Sequence, residues 1–172
     1  MVSEAKRTLD RLVADCCLQL FSDYRLDIQA SAPEALSTPN RQFLLSGIIG
    51  FTSRHLRGAV VLATTQEPLE KTNPAANPSH RDWICELANQ LLGRVKNQLL
   101  GRGVEIFAST PIALRGEHLS PVLQQSLIAE LFIAGGGVVC VWMDCEVDAG
   151  FEIPPSGHFE AAPVSEGETL LF

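Results

Sequence analysis

The chain has 172 residues, 46% of them apolar, 19% charged and 6% aromatic, and 13 Lys and Arg stand against 20 Asp and Glu for a formal charge of −7. That length supports one domain with a sizeable core. The acidic balance argues against a nucleic-acid partner or an anionic membrane surface. The apolar fraction lies above that of disordered chains. The most apolar stretch, Leu131 to Met143, is short and centred on Gly135-Gly136-Gly137, so no membrane insertion is expected. The opening MVSEAKRTLDRL has no apolar leader core, so no secretory leader is expected either. Five cysteines, with Cys16 and Cys17 adjacent and no CxxC spacing, fit reduced thiols and a cytoplasmic location better than a disulfide framework or zinc site.

In chain order, Glu4 to Tyr24 reads as an amphipathic helix. Leu9, Leu12, Val13, Cys16, Leu20 and Phe21 recur at helical spacing, with Lys6, Arg7, Asp10, Arg11 and Asp15 on the other side. A short strand is expected around Arg25 to Ala30, and Ser31 to Asn40 reads as a loop. Gln42 to Thr52 and Leu56 to Thr64 are apolar, β-branched runs joined by Ser53-Arg54-His55, the pattern of an antiparallel hairpin. Gly47, Gly50 and Gly58 mark bulges or close packing within it. Thr65 to Pro78, with three prolines, reads as loop.

A second helix opens at Ser79, an N-cap candidate with Asp82 three residues later. Ile84, Leu87, Leu91, Val95 and Leu99 form its apolar stripe, and Gly101-Arg102-Gly103 ends it. Val104 to Ala108 and Pro111 to Leu114 read as extended. Leu127 to Ala134, the turn Gly135 to Gly137, and Val138 to Glu146 predict a second hairpin. Residues 1–153 are expected to form the domain, and 154–172 a tail that is partly mobile. Strands arriving as hairpins, with two long helices, predict an α+β fold: an antiparallel sheet covered on one face by those helices.

The polar side of the second helix carries the functional signal. Asp82, Glu86, Asn89 and Gly93 are spaced by four, three and four residues and so share one face, away from the apolar stripe. A bare Glu-x-x-Asn pair also suits an ordinary solvated helix face. Asp82 has a structural role available as the residue bonded to Ser79, and Gly93 reads either as tight packing or as room for a partner's close approach. His55, His80, His118 and His158 are scattered without ligand spacing, and Cys85 reads as a packing residue rather than a nucleophile.

The longer pattern Asp82-x3-Glu86-x2-Asn89-x21-Pro111 resembles the signature of the CheC/CheX family of chemotaxis phosphatases. ELANQLLGRVKNQLLGRGVEI followed by ASTPIALRG looks like that family's helix, loop and next strand. GIIGFTSRHLRGAVVLAT resembles its earlier hairpin and VVCVWMDCEV its last long strand. One copy of the motif is present, because the first helix has Asp10, Ala14 and Cys17 at the matching spacing. A single copy is similar to the CheX type.

The resemblance implies hydrolysis of the aspartyl phosphate on a CheY-like receiver domain, with Glu86 and Asn89 catalytic, Asp82 and Gly93 in partner docking and Pro111 structural. It implies no metal or other cofactor on this chain, the Mg²⁺ being the receiver's, and a homodimer joined through its sheets. The alternative is a non-catalytic interaction module of the same fold that binds a receiver or a flagellar-switch component.

Overall fold

The computed structural model describes residues 3–31, 44–74, 79–116 and 130–157. The expected loop at 32–40, strand residues 42–43 and 127–129, and the tail beyond 157 lie outside them. Helix α1 (Glu4–Asp23) starts at Ser3, whose hydroxyl accepts from the Lys6 amide at 3.3 Å. It buries Leu9, Leu12, Val13, Cys16, Cys17, Leu20 and Phe21, which is the expected stripe with Cys17 added. Lys6 is a correction: it was expected on the solvent side, yet it is only 6% exposed. Its long apolar stem can line the core edge while the ammonium stays beside Asp10.

Helix α1 closes in a Schellman turn. The Arg25 amide donates to the Ser22 carbonyl and the Leu26 amide to that of Phe21, with Arg25 left-handed at φ 59°. That turn displaces the strand expected from Arg25, so β1 is only Gln29–Ser31. No glycine announces it.

The hairpin of β2 (Leu44–Thr52) and β3 (Leu56–Thr64) pairs in unbroken register from Leu45↔Thr64 to Thr52↔Arg57, so its glycines do not mark bulges. Gly47 instead permits close packing, since a Cβ there would lie 2.6 Å from the Ile84 carbonyl oxygen. The expected loop after Thr64 is a second correction: residues 66–72 form a short helix, α2 (Gln66–Thr72). Pro68 is tolerated in its first turn, where the missing amide hydrogen would have had no helical acceptor. Helix α2 docks on the turn at Gly135 and Gly136, where side chains would collide with Lys71 and Glu67. Residues 75–78 of the expected loop lie outside the described residues.

Helix α3 (His80–Leu100) begins as expected, with the Asp82 amide donating to the Ser79 hydroxyl at 3.2 Å. Then come β4 (Phe107–Ala108), β5 (Ile112–Gly116), β6 (Glu130–Ala134) and β7 (Gly137–Val147). All pairings are antiparallel, in the order β1-β6-β7-β3-β2-β4, with β5 also pairing β2. Helix α1 lies over β7 and α3 over β2. Between helices and sheet sit Ile49, Phe51, Leu56, Val60, Leu62, Val139, Val141 and Met143, in one core with the two helical stripes. The fold is the expected α+β layer pair, with α2 as an added third helix.

Candidate functional site

Helix α3 turns Trp83, Ile84, Leu87, Ala88, Leu91, Leu92, Val95 and Leu99 into the core. The opposite side is therefore left to solvent. Asp82 is exposed, and Glu86, Asn89 and Gly93 are half-exposed along the same face. The structure thus brings these four residues together, as the helical spacing requires. Pro111 lies at the sheet edge, between β4 and β5.

Its place there has a physical reason. β4 and β5 form one interrupted edge along β2, because Phe51 faces Ala108 whereas Ile48 faces Ile112. Residues 109–111 of the edge therefore oppose only Ile49 and Gly50, a bulge with one extra residue. Proline, which has no amide hydrogen to give a ladder, suits this point. Ser109 fastens the other side: its amide donates to the Gly50 carbonyl and its hydroxyl accepts from the Gly50 amide at 3.0 Å.

The two central side chains are held very differently. Glu86 Oε1 accepts from Gln90 Nε2 at 2.9 Å, and Gln90 Oε1 accepts from the Tyr24 hydroxyl at 2.8 Å. The Tyr24 ring meets Trp83 edge-on, at a centroid distance of 5.5 Å. By contrast, the Asn89 carboxamide makes no hydrogen bond among the described residues, and neither does the Asp82 carboxylate. Sequence reasoning missed Gln90 and Tyr24. The i, i+4 spacing of Glu86 and Gln90 was the only local signal, and nothing local pointed to Tyr24.

Other candidates recede. Burial pushes the Cys85 thiol up, and Arg81 offsets that only in part, so a thiolate is disfavoured beside Glu86. Ala14 packs against the core and Cys17 is fully buried, so the matching positions of α1 cannot form a second exposed site. His55 sits 3.1 Å from Asp148 and His80 3.7 Å from Glu70, while His118 and His158 lie outside the described residues. Among the described residues, no three His, Cys, Asp or Glu side chains are grouped to hold a metal. No helix among them is long and apolar enough to cross a membrane.

Residues 45–131, half of the chain and including all of α3 and Pro111, match the family described as Chemotaxis phosphatase CheX. The chain belongs to the CheX family. No curated protein sequence matches it. The CheX fold is also what the solved structures show. The chemotaxis protein CheX of Vibrio vulnificus superimposes with a TM-score of 0.66 at 17% identity, over 84% of this chain and 100% of that one. A CheX from Desulfovibrio desulfuricans gives 0.64 at 16%, over 81% and 99%. The CheX of a CheX–CheY–BeF3–Mg²⁺ complex from Borrelia burgdorferi gives 0.55 at 14%, over 78% and 96%. At such identities the likeness concerns the fold alone.

Proposed function

We propose that this CheX-family chain hydrolyses the aspartyl phosphate of a CheY-like receiver domain, with Asn89 positioning the attacking water. The observation that carries this reading is the contrast on α3: a carboxamide with no hydrogen bond among the described residues stands one turn from a carboxylate held by Gln90. Family membership and the Borrelia CheX solved with CheY support the choice of partner.

In this reading a water attacks phosphorus in line, the acyl-phosphate P–O bond breaks, and aspartate and inorganic phosphate leave. The Asn89 carbonyl accepts a hydrogen bond from that water and adds no negative charge beside the phosphoryl oxygens. Glu86 pairs with a cation of the receiver, its lysine by choice, and fixes the docking register. Asp82 starts the helix and adds negative charge at the docking face, and Gly93 lets the partner's backbone approach. Pro111 shapes the edge strand beside β2. Magnesium belongs to the receiver, which would place both proteins in the cytoplasm.

The same proposal includes a homodimer joined through the sheet. On the face away from the helices, Ile112, Leu114 and Ile133 are 56%, 45% and 44% exposed. Light scattering of the purified chain tests this, with a monomeric mass as the contrary result.

The deciding experiment follows decay of phosphorylated CheY-like receivers with the wild-type chain and with Asn89→Ala. Acceleration by wild type that disappears in Asn89→Ala, with receiver binding kept, is the expected result. Binding without acceleration by wild type would instead make the chain a non-catalytic interaction module.

A further inference from the structure

Gln90 belongs to no part of the motif, yet it is the only described side chain that contacts the Glu86 carboxylate by a hydrogen bond. Its amide orientation is decided by its two neighbours. A carboxylate can only accept, so the NH2 end must face Glu86. The tyrosine hydroxyl can donate, so it takes the carbonyl end. The reverse orientation would set Gln90 Oε1 against Glu86 Oε1, oxygen facing oxygen.

The Tyr24 end is anchored in turn. Tyr24 caps α1 at the Schellman turn, and its ring rests on buried Trp83. The Trp83 indole N–H donates to the Thr72 hydroxyl at 3.0 Å, and Thr72 donates back to the Pro68 carbonyl. Helices α1, α2 and α3 thus each contribute to the direction of one glutamate. Gln90 is also neutral. A lysine or arginine four residues after Glu86 would orient it equally well but would spend the negative charge needed for a cation on the partner.

We propose that Gln90, aimed by Tyr24, is a positioning residue that presets Glu86 for the receiver's cation and so governs affinity, leaving the hydrolytic step to Asn89. This rests on the receiver-phosphatase reading. An unheld glutamate must be ordered when the partner docks, which for one such side chain corresponds to about a 5-fold weaker association.

The test measures receiver dephosphorylation against receiver concentration, using a CheY-like receiver phosphorylated with acetyl phosphate. The chains are wild type, Gln90→Met, Tyr24→Phe, Glu86→Gln and the double variant Glu86→Gln/Gln90→Met. Methionine keeps the length and helix propensity but removes the amide. Gln90→Met is expected to raise KM about 5-fold with kcat within about 2-fold, and Tyr24→Phe to raise it less. On the Glu86→Gln background, Gln90→Met should add nothing further, which a merely structural role would not produce. An unchanged KM in both single variants, or the same KM increase with Glu86 already replaced, overturns the inference. If Gln90→Met does not fold, Tyr24→Phe, which removes one oxygen, decides alone. A wild-type chain without activity overturns the phosphatase reading and this inference with it. An active wild type with unaffected variants overturns this inference only.

Discussion

The indole N–H of Trp83 donates to the hydroxyl of Thr72 across 3.0 Å, joining α3 to the last turn of α2 in a buried setting. The Thr72 proton is itself committed, going back to the Pro68 and Leu69 carbonyls at 3.0 and 3.1 Å, which leaves the hydroxyl oxygen to accept from the indole. Thr72→Val keeps the shape but strands a buried indole donor. It should cost about 2 kcal/mol in urea unfolding, since an unsatisfied buried donor bears its full desolvation penalty. An unchanged midpoint would mean that the indole finds another acceptor.

Gly47 and Gly101 should respond to alanine with opposite signs. At Gly47 the new methyl meets the Ile84 carbonyl oxygen, a backbone atom that can yield only if α3 moves off β2. A loss of about 1–3 kcal/mol is expected, as for overpacked cores. At Gly101 the backbone is helical, at φ −62° and ψ −10°, and the nearest atom lies at 3.6 Å. Gly101→Ala should therefore stabilise by about 0.5 kcal/mol, by restricting the unfolded chain. Thermal melts of the two variants give both signs.

Asp10 supplies a pH dependence. Burial raises its pKa from 3.8 to about 6, with Lys6 opposing and Glu130 adding to the rise. The folded state therefore holds this proton more tightly than the unfolded chain. Its contribution to stability is fully present below about pH 4 and is lost as pH rises through about 6. Asp10→Asn should remove that window and stabilise the protein at pH 7. After discounting for the solvent that reaches this half-buried group, the gain is about 1 kcal/mol. The check is the variant minus wild-type difference in unfolding free energy between pH 4 and 7, which should grow with pH.

The assignment of Asn89 predicts an order among its variants. Asn89→Ala removes the acceptor and should lower kcat about 100-fold, in the range of a lost preorganised hydrogen bond. Asn89→Asp keeps an acceptor but sets an anion beside the phosphoryl group, so it should be no better than alanine. Recovery of activity in Asn89→Asp as pH rises would identify a general base instead. Initial rates across pH with one phosphorylated receiver separate the two.

Local order was largely legible in the residues. The stripe Ile84, Leu87, Leu91, Val95 and Leu99 faces the core, Ser79 caps α3, and β2 and β3 pair as a hairpin. The common face of Asp82, Glu86, Asn89 and Gly93 follows from 3.6 residues per turn and needs no tertiary information. Such features depend on neighbours a few positions apart, which spacing records.

What only the tertiary structure decided depends on distant partners. Helix α2 is too short to hold together alone, and its docking against the glycine turn between β6 and β7 keeps it folded. The Schellman turn at Arg25 has no glycine to mark it. The edge bulge before Ile112 emerges only when both halves are set against β2. Tyr24 reaches Gln90 across 66 positions of sequence. Periodicity reports which side of a helix is apolar, but not what stands opposite it. The motif therefore places Glu86 and Asn89 side by side, while packing of α1 and α2 around α3 decides that Glu86 is held.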